Sequence, residues 1–112
     1  MAEIPTNLEE AVAALHAMIP QAQQDEFASW DRDDAGAKAH HAVGRWIRNE
    51  WKLWEEGSPL REWFEKELHA QHPDDMSSLI IDALWSDLNG EPRQTVELLA
   101  GFRKHWEKYG TE

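Results

Sequence analysis

The sequence predicts an all-α fold: a single-domain, irregular bundle of about six helices around a central tryptophan-rich helix. Three observations carry that expectation. Apolar residues recur at helical spacing along most of the 112 residues, strand-like alternation is nearly absent, and Pro, Gly and N-capping residues punctuate the chain at short intervals. A chain of this length has room for one core, so residues 1–112 are read as one domain.

Each element follows in order. Thr6 with Glu9 makes a capping box, after which Leu8, Val12, Leu15 and Ile19 repeat at helical spacing up to Pro20. A short second helix is expected over Gln21 to Trp30, with Phe27 and Trp30 turned inward. Asp31 to Gly36 reads as a polar turn leading into the central helix, which runs from about Ala39 to Glu55. Gly57-Ser58-Pro59 is a break and restart, with Ser58 as N-cap and Pro59 in the first turn of a helix carrying Leu60, Trp63, Phe64 and Leu68. His72-Pro73-Asp74-Asp75 opens the next helix with two carboxylates at the positive end of its dipole. Met76, Leu79, Ile80, Ala83, Leu84 and Leu88 are its apolar stripe. Asn89-Gly90 closes it, Pro92 opens the last helix, Leu98, Leu99, Phe102, Trp106 and Tyr109 face inward, and Gly110 is the stop.

At 100° per residue, Val43, Trp54, Ile47, His40, Trp51 and Gly44 of the central helix fall in one arc, and Ala42, Leu53 and Trp46 form a second apolar patch. A helix apolar on so much of its circumference is expected to be the spine of the bundle, with Gly44 marking a close approach by a neighbour. Arg48, His41, Lys52 and Arg45 occupy the remaining arc. Between Ala35 and Trp54 four bases stand against one acid, a local +3 that leaves −14 on the rest of a chain whose net charge is −11. The basic strip either pairs with internal acids such as Asp31, Asp33, Asp34, Asp74 and Asp75 or offers an exposed anion site. His40, Asn49 and Glu50 fall near the interior, where polar groups need partners, and Trp indoles are natural donors to Glu50 and to Asp74 or Asp75.

Composition narrows the function. The strong acidity opposes nucleic-acid and anionic-membrane binding and favours basic protein partners. No secretory leader or membrane span is apparent, so a cytoplasmic location is expected. Cysteine is absent, and with it any disulfide framework or thiolate metal site. His40 and His41 with His72, Asp74 and Asp75 suggest a metal centre, but adjacent histidines on a helix point about 100° apart and cannot both face one ion. No nucleophile elbow and no glycine-rich phosphate loop is present, so neither a catalytic role nor a cofactor is expected.

Two motifs carry a resemblance. His40-His41-Ala42-Val43-Gly44-Arg45-Trp46-Ile47-Arg48-Asn49-Glu50-Trp51-Lys52-Leu53-Trp54, followed by His72-Pro73-Asp74-Asp75-Met76-Ser77, resembles a family of small bacterial all-helical proteins of unknown function. The resemblance spans about Ala11 to Tyr109 and implies a shared fold without naming a reaction. Motifs so polar joined to motifs so aromatic suggest one cluster, structural or ligand-binding, of His40, His41, Arg48, Asn49, His72, Asp74 and Asp75 around the Trp rings. An Arg48–Asp75 pair is expected at its centre.

The function expected from these features is non-enzymatic protein binding, most concretely an immunity protein that neutralises a bacterial toxin by occluding its basic active site. Asp25, Glu26, Asp31, Asp33 and Asp34 are the expected partner-facing acids. Trp30 and Trp85 are the expected anchors, less firmly in the core than Trp51 or Trp54. The protein itself is expected to be a monomer or weak dimer. The alternative is a small-molecule or metal-dependent site on the His/Arg/Asp cluster.

Overall fold

A computed structural model describes residues 4–109, without the side chain of Tyr109. The expectations of an inward-facing Tyr109 ring and a stop at Gly110 therefore fall outside what is described. Seven helices make up the described fold: α1 (Leu8–Met18), α2 (Gln21–Ser29), α3 (Arg32–His41), α4 (Val43–Glu50), α5 (Pro59–Trp63), α6 (Pro73–Asn89) and α7 (Thr95–Tyr109). A π-helical turn, Phe64–Leu68, continues α5. No strand occurs among the described residues, and none of their helices is long and apolar enough to cross a membrane.

The helix starts follow local chemistry, with small shifts from expectation. Asn7, not Thr6, caps α1, its Oδ1 accepting the Glu10 amide at 2.8 Å. Glu10 reaches back to accept from the Thr6 amide and hydroxyl at 2.9 and 2.8 Å, so the capping box sits one residue later than Thr6 and Glu9. That register buries Leu8, Ala11, Val12 and Leu15 and leaves Glu9 free to pair with Arg93. Gln24 of α2 is buried and donates to the His16 and Ile19 carbonyls at 2.9 and 2.7 Å, satisfying acceptors left open where α1 ends. The Asp31–Gly36 stretch is not a turn. Asp31 accepts the Asp34 amide at 2.9 Å and starts α3 there. Ser58 occupies an N-cap position, but its hydroxyl donates to the Trp51 carbonyl at 3.0 Å instead of capping. The last helix begins at Thr95, three residues later than Pro92 suggested.

The central helix is the largest correction. Residues 39–55 are not one rod but the end of α3, a break at Ala42, α4 and a turn. The break turns α4 out of line with α3 and packs it against α6. Gly44 makes this approach possible, because a Cβ there would lie 3.2 Å from the Ala39 carbonyl and 3.3 Å from Ile81 Cδ1. At the far end of α4, Lys52 takes a left-handed conformation with φ 59°, and the Leu53 amide bonds to the Arg48 carbonyl at 3.0 Å. This Schellman closure turns Leu53 into the core and sends Trp54 out. The apolar arc drawn for a continuous helix therefore fails. Gly44, Ile47, Arg48 and Trp51 form the buried stripe, whereas Trp46, Asn49 and Glu50 are exposed.

The spine is α6. It packs against α1, α2, α3, α4 and α7, and most of its residues are buried, including Met76, Leu79, Ile80, Ile81, Ala83 and Leu84. A helix covered on nearly all sides has nowhere to hide polar groups except against partners. Ser77, Asp82 and Ser86 lie on it, and every buried side-chain nitrogen and oxygen among the described residues has a hydrogen-bond partner.

Candidate functional site

Two clusters are built on α6, one at each end. At the N-terminal end His72 caps the helix, its Nδ1 accepting the Asp74 amide at 3.0 Å. Arg48, 7% exposed, crosses from α4. It donates to Ser77 Oγ at 2.8 Å and to the His40 carbonyl at 3.2 Å, and its Nε stands 3.3 Å from Asp74 Oδ1. The ion pair is thus with Asp74, not with Asp75 as expected. Arg48 sits at the margin of the buried stripe of α4, and a long side chain there can turn inward where polar partners wait.

Asp75 faces the other way, toward α7. Its Oδ2 accepts from Trp106 Nε1 at 2.8 Å. Burial pushes its carboxyl above the ordinary range, only partly opposed by that hydrogen bond. The Trp106 ring stacks on His72 at 5.4 Å, and Trp54 meets the other side of the network edge-on at 5.7 Å from His72. These rings line a cleft of about 620 Å³ that also takes in Leu68, Phe102 and Asp75.

The structure therefore divides the expected cluster. Arg48, His72, Asp74 and Asp75 come together around Trp54 and Trp106. His40 contributes its backbone carbonyl, and its half-buried ring, which touches the exposed His41 edge-on, has a pKa lowered by burial and then by the Arg48 charge. His41 and Asn49 are exposed, and Arg48 reaches Ser77, the His40 carbonyl and Asp74 without them. No group of three or more His, Asp or Glu among the described residues is placed to hold a metal ion.

The second α6 cluster was not expected from sequence. Arg32 donates to Asp82 Oδ1 and, at 3.0 Å, to Ser86 Oγ; it also reaches the Pro92 carbonyl at 3.2 Å. The other Asp82 oxygen accepts the Gln94 amide at 2.9 Å, holding the start of α7. Arg32 lies 4.7 Å from the Trp85 ring centre, and Trp85 Nε1 donates to the Trp30 carbonyl at 3.0 Å. The signal was available: an aspartate inside the run Ile80-Ile81-Asp82-Ala83-Leu84 needs a cation or donors once buried.

Partner-facing residues fall into two groups. Asp25, Glu26, Asp31, Asp33 and Asp34 are all exposed at the α2–α3 corner, and among the described residues none of them forms an ion pair. Beside them lies a groove of about 330 Å³ lined by Ile19, Glu26, Phe27, Trp30 and Val43. Lys38 also lines it, its Nζ 4.3 Å from the Trp30 ring centre. Trp85 is only 7% exposed and cannot serve as a surface anchor; Trp54, at 53%, and Trp46, at 38%, are exposed instead. The strip of bases is not continuous either, because Arg48 is buried, Lys52 stands 3.8 Å from Glu55, and Arg45 is exposed.

No curated protein and no solved structure matches the chain. A family model described as Domain of unknown function (DUF6794) matches residues 4–88, from the segment before α1 almost to the end of α6, with α7 beyond it. That match covers most of the chain, and the chain belongs to this family.

Proposed function

We propose that this DUF6794 protein is a non-enzymatic protein-binding module whose partner is basic, and that its binding face is the α2–α3 corner. One observation carries the reading: Asp25, Glu26, Asp31, Asp33 and Asp34 are exposed carboxylates on α2 and at the start of α3 with no ion pair among the described residues, and Glu26 lines a groove that also holds Phe27 and Trp30. By contrast, Asp82 is taken up by Arg32 and Asp87 by Arg93. An acidic rim beside an aromatic pocket suits a basic surface that inserts one side chain, with charge steering the encounter and the ring supplying the anchor. The concrete form of this function is toxin immunity, in which the acidic face covers a basic active site.

The adjacent gene supplies the candidate partner, and titration calorimetry against its product tests the proposal. Binding that weakens as salt is raised through the physiological range, and that is lost in the combined variant Glu26→Lys, Asp33→Lys, Asp34→Lys, supports it. Unchanged affinity of that variant, or no binding to the neighbouring product, overturns it.

A further inference from the structure

The cleft at the start of α6 is a different site with different chemistry. At about 620 Å³ it is in the size range of small-molecule sites. Trp54, Leu68, Phe102 and Trp106 give it apolar walls, and His72 lies between the two indoles. Trp54 is there because the left-handed turn at Lys52 faces Leu53 inward and Trp54 outward, leaving a large ring open to solvent at the mouth of a polar network.

Charge selects the class of ligand. The lining carries two arginines, but Arg61 is matched by Glu65 at 3.0 Å and by the Leu53 carbonyl at 3.3 Å. Arg103 stands one helical turn from Glu107, which also lines the cleft. His72 spends its Nδ1 on the Asp74 amide, and His69 is the other imidazole in the lining. Asp75 remains. Its Oδ2 is held by Trp106, while Oδ1 accepts no hydrogen bond among the described residues. A partly desolvated carboxylate with one open oxygen is stabilised most by a cationic donor, and indole faces attract cations as well. An anion would be repelled by Asp75, and a purely apolar ligand would desolvate it without return.

We propose that this cleft binds a small organic cation: a protonated amine or amidinium on a flat apolar body. Its N–H groups donate to Asp75 Oδ1 and its body lies against the Trp54 indole. The site is independent of the protein-binding face and stands whether or not that face has a partner.

Titration of ¹⁵N-labelled protein with benzamidinium, benzyl alcohol and benzoate, followed on the tryptophan indole N–H signals, tests it. Benzamidinium should move the Trp54 and Trp106 signals saturably, and more tightly than either of the other two. Asp75→Asn keeps an acceptor for Trp106 and should weaken benzamidinium about tenfold or more. Trp54→Ala, at an exposed position, should weaken it roughly threefold or more with the circular dichroism unchanged. The variant carrying Glu26→Lys, Asp33→Lys and Asp34→Lys should bind it as the parent does, which separates this site from the protein-binding face. Absence of a saturable shift, equal or tighter binding of benzoate or benzyl alcohol, or undiminished affinity in folded Asp75→Asn overturns the proposal.

Discussion

The two ends of α6 use the same parts to different ends. Each has an arginine from another helix reaching an aspartate and a serine: Arg32 with Asp82 and Ser86, Arg48 with Asp74 and Ser77. At the C-terminal end the circuit is closed. Both Asp82 oxygens are used, one by Arg32 and one by the amide that starts α7, and Trp85 covers the guanidinium. At the N-terminal end Arg48 satisfies Ser77 and Asp74, but the next residue, Asp75, turns out of the network into a cleft and keeps one oxygen open. A carboxylate whose every oxygen is matched acts as a staple. One that is desolvated and half matched has something left to offer a ligand.

Breaking the closed end should cost most. Asp82→Ala leaves Arg32 without its buried counter-ion and the Gln94 amide without an acceptor, and should destabilise the fold by about 3 kcal/mol or more in urea denaturation. Arg48→Met should cost less, roughly 2 kcal/mol, because the half-exposed Asp74 can be hydrated once the guanidinium is gone while Ser77 still donates to the Asp74 carbonyl. If the two variants lose equal stability, the ends are equivalent staples and the contrast fails.

Acid titration should separate the ends by sign. Hydrogen bonds from Arg93 hold Glu9 and Asp87 below their ordinary values of 4.5 and 3.8. The unfolded chain therefore takes up their protons first as pH falls. Their contribution is complete above the ordinary carboxylate range and lost as pH drops through the lowered folded values. Both groups are largely solvated, so Arg93→Gln should cost less than about 1 kcal/mol at neutral pH, and the cost should vanish in acid. Asp75 behaves oppositely. Its folded pKa lies above 3.8, so its contribution is present below that value and lost as pH rises through the folded one. Asp75→Asn should gain stability relative to the parent as pH rises from 3 to 7, measured by chemical denaturation across that range. A loss that grows with pH would mean the carboxylate is satisfied as fully as Asp82.

Much of the fold was legible locally. The stripe of α6, the breaks at Pro20, Gly57-Ser58-Pro59 and Asn89-Gly90, and the pairing of an indole with Asp75 follow from residue chemistry at short range. The central helix was not. Helical periodicity runs straight across Ala42, although the flanking His40, His41, Val43 and Gly44 are weak helix formers; what places the break is the fit of Gly44 against Ile81, a residue on α6. A helical wheel puts Trp54 inside because it assumes the helix continues, whereas Lys52 ends it in a left-handed turn that residue preferences would assign to glycine. Local pattern leaves Trp85 outside because the cation that covers it, Arg32, comes from far away in the chain.

By itself, then, the sequence determined what depends on neighbours along the chain: the helical class, most of the breaks, the starts of the helices other than α3 and α4 to within a few residues, and an acidic composition around a basic stretch. Only the tertiary structure decided which helix became the spine, which aspartate met Arg48, and which tryptophan was left open at a cleft. Those outcomes turn on ångström-scale contacts between segments tens of residues apart, where a missing Cβ at Gly44 and the direction of one turn at Lys52 select among arrangements that local periodicity treats alike.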